Sequence, residues 1–253
     1  MNKPVNIVIP MAGRGSRFQQ AGYDTPKPLI PIHGVPMIQL VCRNIAPRKE
    51  HKFIFLCLEE HLRSYNLEAK LNEYAPGCDI IPVGTVTEGA ACTVLLARDL
   101  IDNDCPLMIA NSDQYVDLQI EDYLSAMEAE RADGFIMTMW ADHPKWSYVG
   151  FDDAGRVNRV VEKEVISNEA TVGIYNFARG ADFVRSADQM IAKEIRVNNE
   201  FYVAPVYNEM ISSGARIGYY NIGRVGDGMY GLGTPDDLND FLSRSLSRNI
   251  AQS

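Results

Sequence analysis

Apolar residues along this chain follow two rhythms. Short continuous runs, Val5–Pro10, Lys52–Leu58, Asp79–Val83, Leu107–Ala110 and Phe135–Trp140, read as strands covered on both faces. Between them Met37–Ile45, Glu59–Tyr74, Ala90–Ile101 and Ile120–Arg131 read as helices, with Leu62, Leu67 and Leu71 at helical spacing in the second. Strands alternating with helices predict an α/β fold, an open, mostly parallel sheet flanked by helices that binds ligands outside the carboxyl ends of its strands. After residue 141 the pattern changes. Tyr148–Asp152, Arg156–Glu162 and Ala170–Phe177 read as short strands, followed by helices at Ala181–Lys193 and Val203–Ser212 and a strand at Ile217–Ile222. A last helix spans Pro235–Leu246, with Thr234 as its N-cap, Pro235 in first position and two aspartates in its first turn. No repeat, low-complexity stretch or long linker interrupts the 253 residues. They read as one domain, with a nucleotide-sized half over residues 1–141 and a smaller strand-rich half over 142–253 that closes over a second substrate.

Composition narrows the classes. Apolar residues make up 46% and charged residues 23%, as in a folded globular chain and unlike a disordered one. No apolar run approaches the roughly 20 residues that span a bilayer. The apolar start at Val5–Met11 runs directly into Gly13-Arg14-Gly15, too short for a signal peptide, so a cytoplasmic protein without a membrane partner is expected. The net charge of −9 argues against nucleic acid as a partner, which calls for a basic stripe. It leaves room for a small anionic substrate, because a few local cations outweigh a global excess of acid. The five cysteines have no C-x-x-C spacing and read as reduced thiols, not as a zinc site or disulfide framework.

The strongest local signal is Met11-Ala12-Gly13-Arg14-Gly15-Ser16-Arg17-Phe18, directly after the first strand. Its glycines let the backbone approach a ligand and turn N–H groups toward it, which suits phosphate. Phe18 stands where the dinucleotide fingerprint needs its third glycine, and no Gly-Lys-Ser/Thr follows, so neither that fingerprint nor a Walker A loop is present. A cation-rich stretch follows instead, with Arg14, Arg17 and Lys27 inside Pro26-Lys27-Pro28. The residues before these prolines are held extended, so Lys27 presents its ammonium from a stiff strut. Alone, these glycines suit an ordinary turn equally well; with the cations and the place after strand one they point to phosphate. A second signal is Asn111-Ser112-Asp113-Gln114 at the end of an apolar strand. On its own Asn-Ser-Asp suits a turn and helix cap; beside the glycine loop it puts Asp113 at the ligand edge, as a candidate ligand for magnesium, which takes one or two carboxylates plus phosphate oxygens. A third is Thr87-Glu88-Gly89-Ala90-Ala91, which by itself reads as an ordinary strand-to-helix turn and whose small polar surface also suits a base edge. In the second half Glu162 suits hydroxyls, Lys163 a phosphate, and Glu200 the same cleft, while Asp227 sits between two glycines before the last helix.

Together these residues resemble the nucleotidyl transferase family. The match is sharpest at Gly13-Arg14-Gly15-Ser16-Arg17, Pro26-Lys27-Pro28-Leu29 and Pro36-Met37-Ile38, in the family's order and spacing. It extends through Asn111-Ser112-Asp113, Val161-Glu162-Lys163, Val172-Gly173-Ile174-Tyr175 and Leu232-Gly233-Thr234-Pro235. The resemblance implies a Rossmann-like sheet and transfer of a nucleoside monophosphate from a nucleoside triphosphate to a phosphorylated small molecule, with pyrophosphate released. It implies that Met11, Ala12, Gly13, Arg14, Gly15 and Ser16 bind the nucleotide, Gly13 and Gly15 wrapping the triphosphate, and that Arg17 neutralises its β- and γ-phosphates. Lys27 would bind the α-phosphate, Asp113 would hold Mg²⁺, and Thr87, Glu88 and Gly89 would face the base. Tyr148, Gly150, Glu162, Lys163, Gly173 and Glu200 would face the acceptor. A sugar 1-phosphate is the expected acceptor. The opening Pro-Met-Ala-Gly also resembles small members that make cytidine derivatives of non-sugar phosphates, which favours a pyrimidine triphosphate. Homo-oligomers are common in such families. Two rival readings remain at this point, a glycosyltransferase of related fold and a nucleotide sensor without turnover. The family's second metal-binding aspartate falls at Gly231 here, and Asp227 is the nearest acidic substitute in the sequence.

Overall fold

All residues of the first strand, β1 (Val5–Met11), except Asn6 are apolar, because the strand is covered on both sides. Its alternate side chains part company: Val5, Ile7 and Ile9 join one core cluster and Val8 joins another on the opposite face. The computed structural model describes residues 3–252. After β1 come α1 (Ser16–Gln20), a 3-10 turn at Lys27–Leu29, β2 (Pro31–Ile32), β3 (Val35–Pro36), α2 (Met37–Ile45) and β4 (His51–Leu58). Next are α3 (Glu59–Tyr65), α4 (Leu67–Tyr74), β5 (Asp79–Val83), α5 (Ala90–Leu95) and α6 (Arg98–Ile101). Then follow β6 (Leu107–Ala110), β7 (Gln114–Val116), α7 (Ile120–Glu130), β8 (Gly134–Trp140), β9 (Ser147–Phe151) and β10 (Val157–Glu162). The chain continues through β11 (Glu169–Phe177), α8 (Gly180–Ala192), α9 (Val206–Ser212), β12 (Ile217–Val225) and β13 (Gly228–Gly231), and ends with α10 (Pro235–Ser243) and α11 (Ser245–Gln252).

One 11-stranded sheet runs in the order β5-β4-β1-β6-β11-β8-β12-β13-β7, with β9 paired to β10 and β11. The pairs β5·β4, β4·β1, β1·β6 and β8·β12 are parallel, and β11 runs antiparallel between β6 and β8. The expected mostly parallel α/β sheet flanked by helices is therefore present, with strands drawn from both halves of the chain. Two expected helices are each broken in two. Asn66 adopts a left-handed conformation, φ 49°, between α3 and α4. Leu96 and Ala97 tighten into i→i−3 hydrogen bonds between α5 and α6. The last helix also breaks, at Arg244, which is extended, and α11 restarts after it.

A third cluster sets the site. Phe18, Ile30, Ile32, Met37 and Leu40 from the start of the chain pack on Leu232, Leu238 and Phe241 from its end. This apolar seam holds the amino end of α10 against the segment that carries Lys27. Thr234 caps α10 as expected, its Oγ1 accepting from the Asp237 N–H at 3.1 Å.

Candidate active site

The carboxyl ends of β1 and β6 bring the glycine-rich loop and Asp113 together. The Lys27 Nζ donates to Asp113 Oδ2 at 2.7 Å, across 86 positions of sequence, and both side chains are about three-quarters buried. Gly15 makes the approach feasible. Its φ is +64°, and a Cβ there would stand 3.3 Å from the Lys27 Cβ. Arg17 projects beside them, and its guanidinium makes no ion pair among the described residues. Met11 and Ala12 are buried at the root of the loop, whereas Gly13, Arg14 and Ser16 are exposed.

Beyond Asp113 lies a cavity of about 440 Å³. Of the residues expected at the site, Arg17, Asp113, Glu162 and Gly173 line it. Its buried wall is a cross-strand pair: Glu162 on β10 faces Ser147 on β9, and the Ser147 Oγ donates to Glu162 Oε2. Burial raises the Glu162 carboxyl above the usual carboxylate range, against the lowering effect of the Ser147 hydroxyl. Gly173, φ +83°, sits where β11 shifts register against β8. A Cβ there would stand 2.2 Å from the Asn111 Nδ2, so the kink that opens the cavity demands glycine. Gln114 is buried beside it, and its Nε2 has no hydrogen-bond partner. An orphan buried donor of this kind marks a place for a ligand oxygen.

Other expected residues are held elsewhere. Tyr148 is fully buried, because strand alternation turns it away from the face of Ser147, and its hydroxyl donates to the His143 carbonyl at 2.8 Å. Gly150 lies under Arg159 and Ile166 and does not line the cavity. The Lys163 Nζ donates to the Tyr202 hydroxyl and lies 4.5 Å from the ring centroid, so it reaches the rim only through Tyr202. That hydrogen bond raises the Lys163 ammonium above its ordinary value. Glu200 is exposed in a tight turn that bridges Val197. Arg14 faces a second cavity, of about 300 Å³, together with Gly15, Lys27, Tyr23 and His61.

The loop Thr87–Gly89 is tied to the second half of the chain. The Phe201 N–H donates to the Glu88 carbonyl at 2.8 Å, and the Ala91 N–H to the Phe201 carbonyl at 3.0 Å. Glu88 pairs with Arg196, so its carboxylate faces outward to a guanidinium, not inward to a base. Gly89 has φ +130°, and a Cβ there would stand 2.4 Å from the Phe201 carbonyl oxygen. The Thr87 Oγ1 donates to the Gly89 carbonyl at 3.0 Å and meets the Thr93 Oγ1 at 2.6 Å.

Asp227, the acidic substitute singled out in the sequence, is not brought to the cavity. It is exposed on the turn between β12 and β13 and lies 3.6 Å from Arg224. Asp237, on the first turn of α10, does line the cavity, as do Gly231, Gly233 and Thr234. The signal that could have found it is the Thr-x-x-Asp spacing of Thr234 and Asp237, which reads simply as a helix cap. Among the described residues no group of three or more His, Cys, Asp or Glu side chains forms a metal centre. The oxygen donors at hand, one or two carboxylates beside a phosphate loop, fit Mg²⁺, which completes its shell with substrate phosphates and water.

The nucleotidyl transferase family profile matches residues 6–205, and the chain belongs to that family. It is a nucleotidyltransferase. It is 22% identical to the UTP–glucose-1-phosphate uridylyltransferase AglF of Haloferax volcanii, over 95% of this chain and 96% of that protein. It is 23% identical to the mannose-1-phosphate guanylyltransferase catalytic subunit beta of Dictyostelium discoideum, over 68% of this chain but only 49% of the relative. Among solved structures it resembles the nucleoside-diphosphate-sugar pyrophosphorylase of Vibrio cholerae RC9, with a TM-score of 0.77 and 28% identity over 94% of this chain and 100% of that one. The inositol-1-phosphate CTP transferase of T. maritima shares the fold, with a TM-score of 0.75 at 15% identity over 100% of this chain and 98% of that one.

Proposed function

We propose that this protein transfers a nucleoside monophosphate from a pyrimidine nucleoside triphosphate to a sugar 1-phosphate and releases pyrophosphate, in the cytoplasm and with Mg²⁺. The observation that carries this reading is the 2.7 Å contact between Lys27 and Asp113. It joins the glycine-rich loop after β1 to the carboxylate on the wall of the 440 Å³ cavity, the place where an α-phosphate and an acceptor phosphate have to meet.

The acceptor phosphate is already an anion, so no general base and no covalent intermediate are needed. An acceptor oxygen attacks the α-phosphorus in line, the new P–O bond forms, and the bond to the β-phosphate bridging oxygen breaks with pyrophosphate leaving. The obstacle is repulsion between two polyanions, so catalysis consists of positioning and charge neutralisation. Lys27, held on its proline-flanked turn, stabilises charge that builds on the α-phosphate. Arg17, unpaired and exposed, reaches the β- and γ-phosphates. Backbone N–H groups of Gly13 to Ser16 cradle the same phosphates. When bound through Asp113, Mg²⁺ supplies positive charge to the phosphate oxygens and orients them. On the acceptor side, Glu162 and Ser147 offer buried hydrogen-bonding groups, which suits the hydroxyls of a sugar.

Pyrophosphate release with Mg²⁺ tests this, with ATP, GTP, CTP, UTP and dTTP each set against sugar 1-phosphates, phosphocholine, 2-aminoethylphosphonate and phosphorylated amides. A pyrimidine triphosphate paired with a sugar 1-phosphate is the active combination expected. Activity confined to a non-sugar phosphate would overturn the acceptor assignment, and a silent grid with measurable triphosphate binding would overturn the reaction.

A further inference from the structure

We propose that Asp237 provides the second carboxylate for the divalent cation that accompanies the triphosphate, opposite Asp113. The inference rests on the nucleotidyl-transfer reading above, and its test reads metal binding directly.

The geometry begins with β13 and the turn after it. Gly231 lies in register with Gln114 across β13 and β7, and the Leu232 N–H donates to the Asp113 carbonyl at 2.8 Å. The stretch Gly231–Gly233 therefore runs alongside Asp113-Gln114. Both glycines leave lateral space, and a carboxylate stands at the edge of each space. A Cβ on Gly233 would lie 2.7 Å from Asp113 Oδ2, and a Cβ on Gly231 would lie 3.6 Å from Asp237 Oδ2. Position 231 itself offers no side-chain oxygen, and the Asp237 carboxylate sits where a side chain from 231 would begin.

Charge balance calls for such a group. Lys27 already neutralises Asp113 at 2.7 Å, so that pair alone presents little net negative charge to a dication. Besides Asp113, the carboxylates lining the cavity are Glu162 and Asp237. Glu162 is committed to the Ser147 hydroxyl on the buried wall. Asp237 has no cationic partner among the described residues. The Thr234 hydroxyl donates to its Oδ2 at 2.7 Å and fixes the carboxylate, while its Oδ1 accepts no hydrogen bond from the described residues. The adjoining Gln114 independently marks a missing ligand. Its side chain is 4% exposed, it lines the same cavity, and its Nε2 donor has no partner. An oxygen of a phosphate held between the two aspartates would satisfy it.

The rival role for Asp237 is purely a helix cap, so the test separates the two. Mn²⁺ is titrated by electron paramagnetic resonance against the full chain, alone and with inorganic triphosphate. Asp237→Asn, which keeps a hydrogen-bonding side chain at the cap, is expected to weaken Mn²⁺ binding on the order of tenfold or more. Asp236→Asn, an exposed neighbour on the same turn, is expected to leave it unchanged. Gly231→Asp in the Asp237→Asn background is expected to restore it, which loss of a cap alone would not allow. If Asp237→Asn fails to fold by circular dichroism, Asp237→Ser keeps a capping hydroxyl and carries the same expectation. Mn²⁺ titrations of the folded Asp237 variant that overlay the wild type would overturn the proposal. A metal site that depends on Asp237 in a protein that releases no pyrophosphate would instead overturn the reaction and leave the site standing.

Discussion

The glycine-rich loop and the cavity proposed for the acceptor meet at Arg17 and Asp113 but are built in opposite ways. The loop is local: Gly13 to Lys27 spans one short stretch, its arginines are exposed, and its geometry depends on glycine and proline dihedrals. The cavity is non-local: β9, β10, β11, β7 and the start of α10 each contribute one or two groups, and its polar wall is buried. Exposed cations can pay the desolvation of a triphosphate at the moment of binding. A buried carboxylate has paid it in folding, and so selects for a ligand that restores its hydrogen bonds.

The largest expected effect is on the loop side. Lys27→Ala removes charge that matters most as the α-phosphate is attacked, and kcat should fall on the order of 10²–10³-fold. Lys49→Ala, which breaks the ion pair with the exposed Glu128 at 3.0 Å, should leave turnover unaltered. Equal effects from the two would erase the distinction between a site cation and a surface one. Next is the tether between the halves. Gly89→Ala forces a side chain into the Phe201 carbonyl at a φ of +130°, and should destabilise the protein by about 3 kcal/mol, read in a urea melt. An unchanged midpoint would mean that the loop is free to move away from Phe201.

The smallest effect belongs to the cavity wall. Burial raises the Glu162 carboxyl in the folded state above its unfolded value. A raised carboxyl is most compatible with folding while protonated, below its unfolded pKa, and that contribution is lost as pH rises through the folded pKa. Glu162→Gln removes this dependence. The difference in Tm, variant minus wild type, should therefore be more favourable to the variant at pH 7 than at pH 4. A difference that runs the other way would mean the carboxylate is held by its neighbours more strongly than burial opposes it.

The contrast also explains what the sequence made legible. Strand and helix order came through because β1, β4 and β6 are continuous apolar runs covered on both faces, a property of composition in short windows. Gly15, Arg17 and Lys27 were legible for the same reason: their chemistry lies within one loop. Gln114–Val116 and Gly228–Gly231 escaped as strands because each is short and pairs with the other across more than a hundred residues. Tyr148 was misplaced by one step of strand alternation, and Ser147 beside it carries the contact instead. Spacing favours Asp227 as the acidic residue nearest Gly231, and only the fold shows that α10 turns Asp237 toward that position instead. The seam of Phe18, Met37, Leu232 and Phe241, which delivers α10 to the loop, exists only in three dimensions.

Two chemically different surfaces for the two substrates are separable by crossed kinetics. The KM for each substrate is measured in Arg17→Ala and in Glu162→Gln, with both variants checked for native melting. This division of labour requires that Arg17→Ala raise the KM for the triphosphate and leave that for the acceptor near its original value, and that Glu162→Gln do the reverse, each by roughly tenfold, the loss of about 1.4 kcal/mol of binding. A Glu162→Gln enzyme whose triphosphate KM rises while its acceptor KM stays fixed would contradict it.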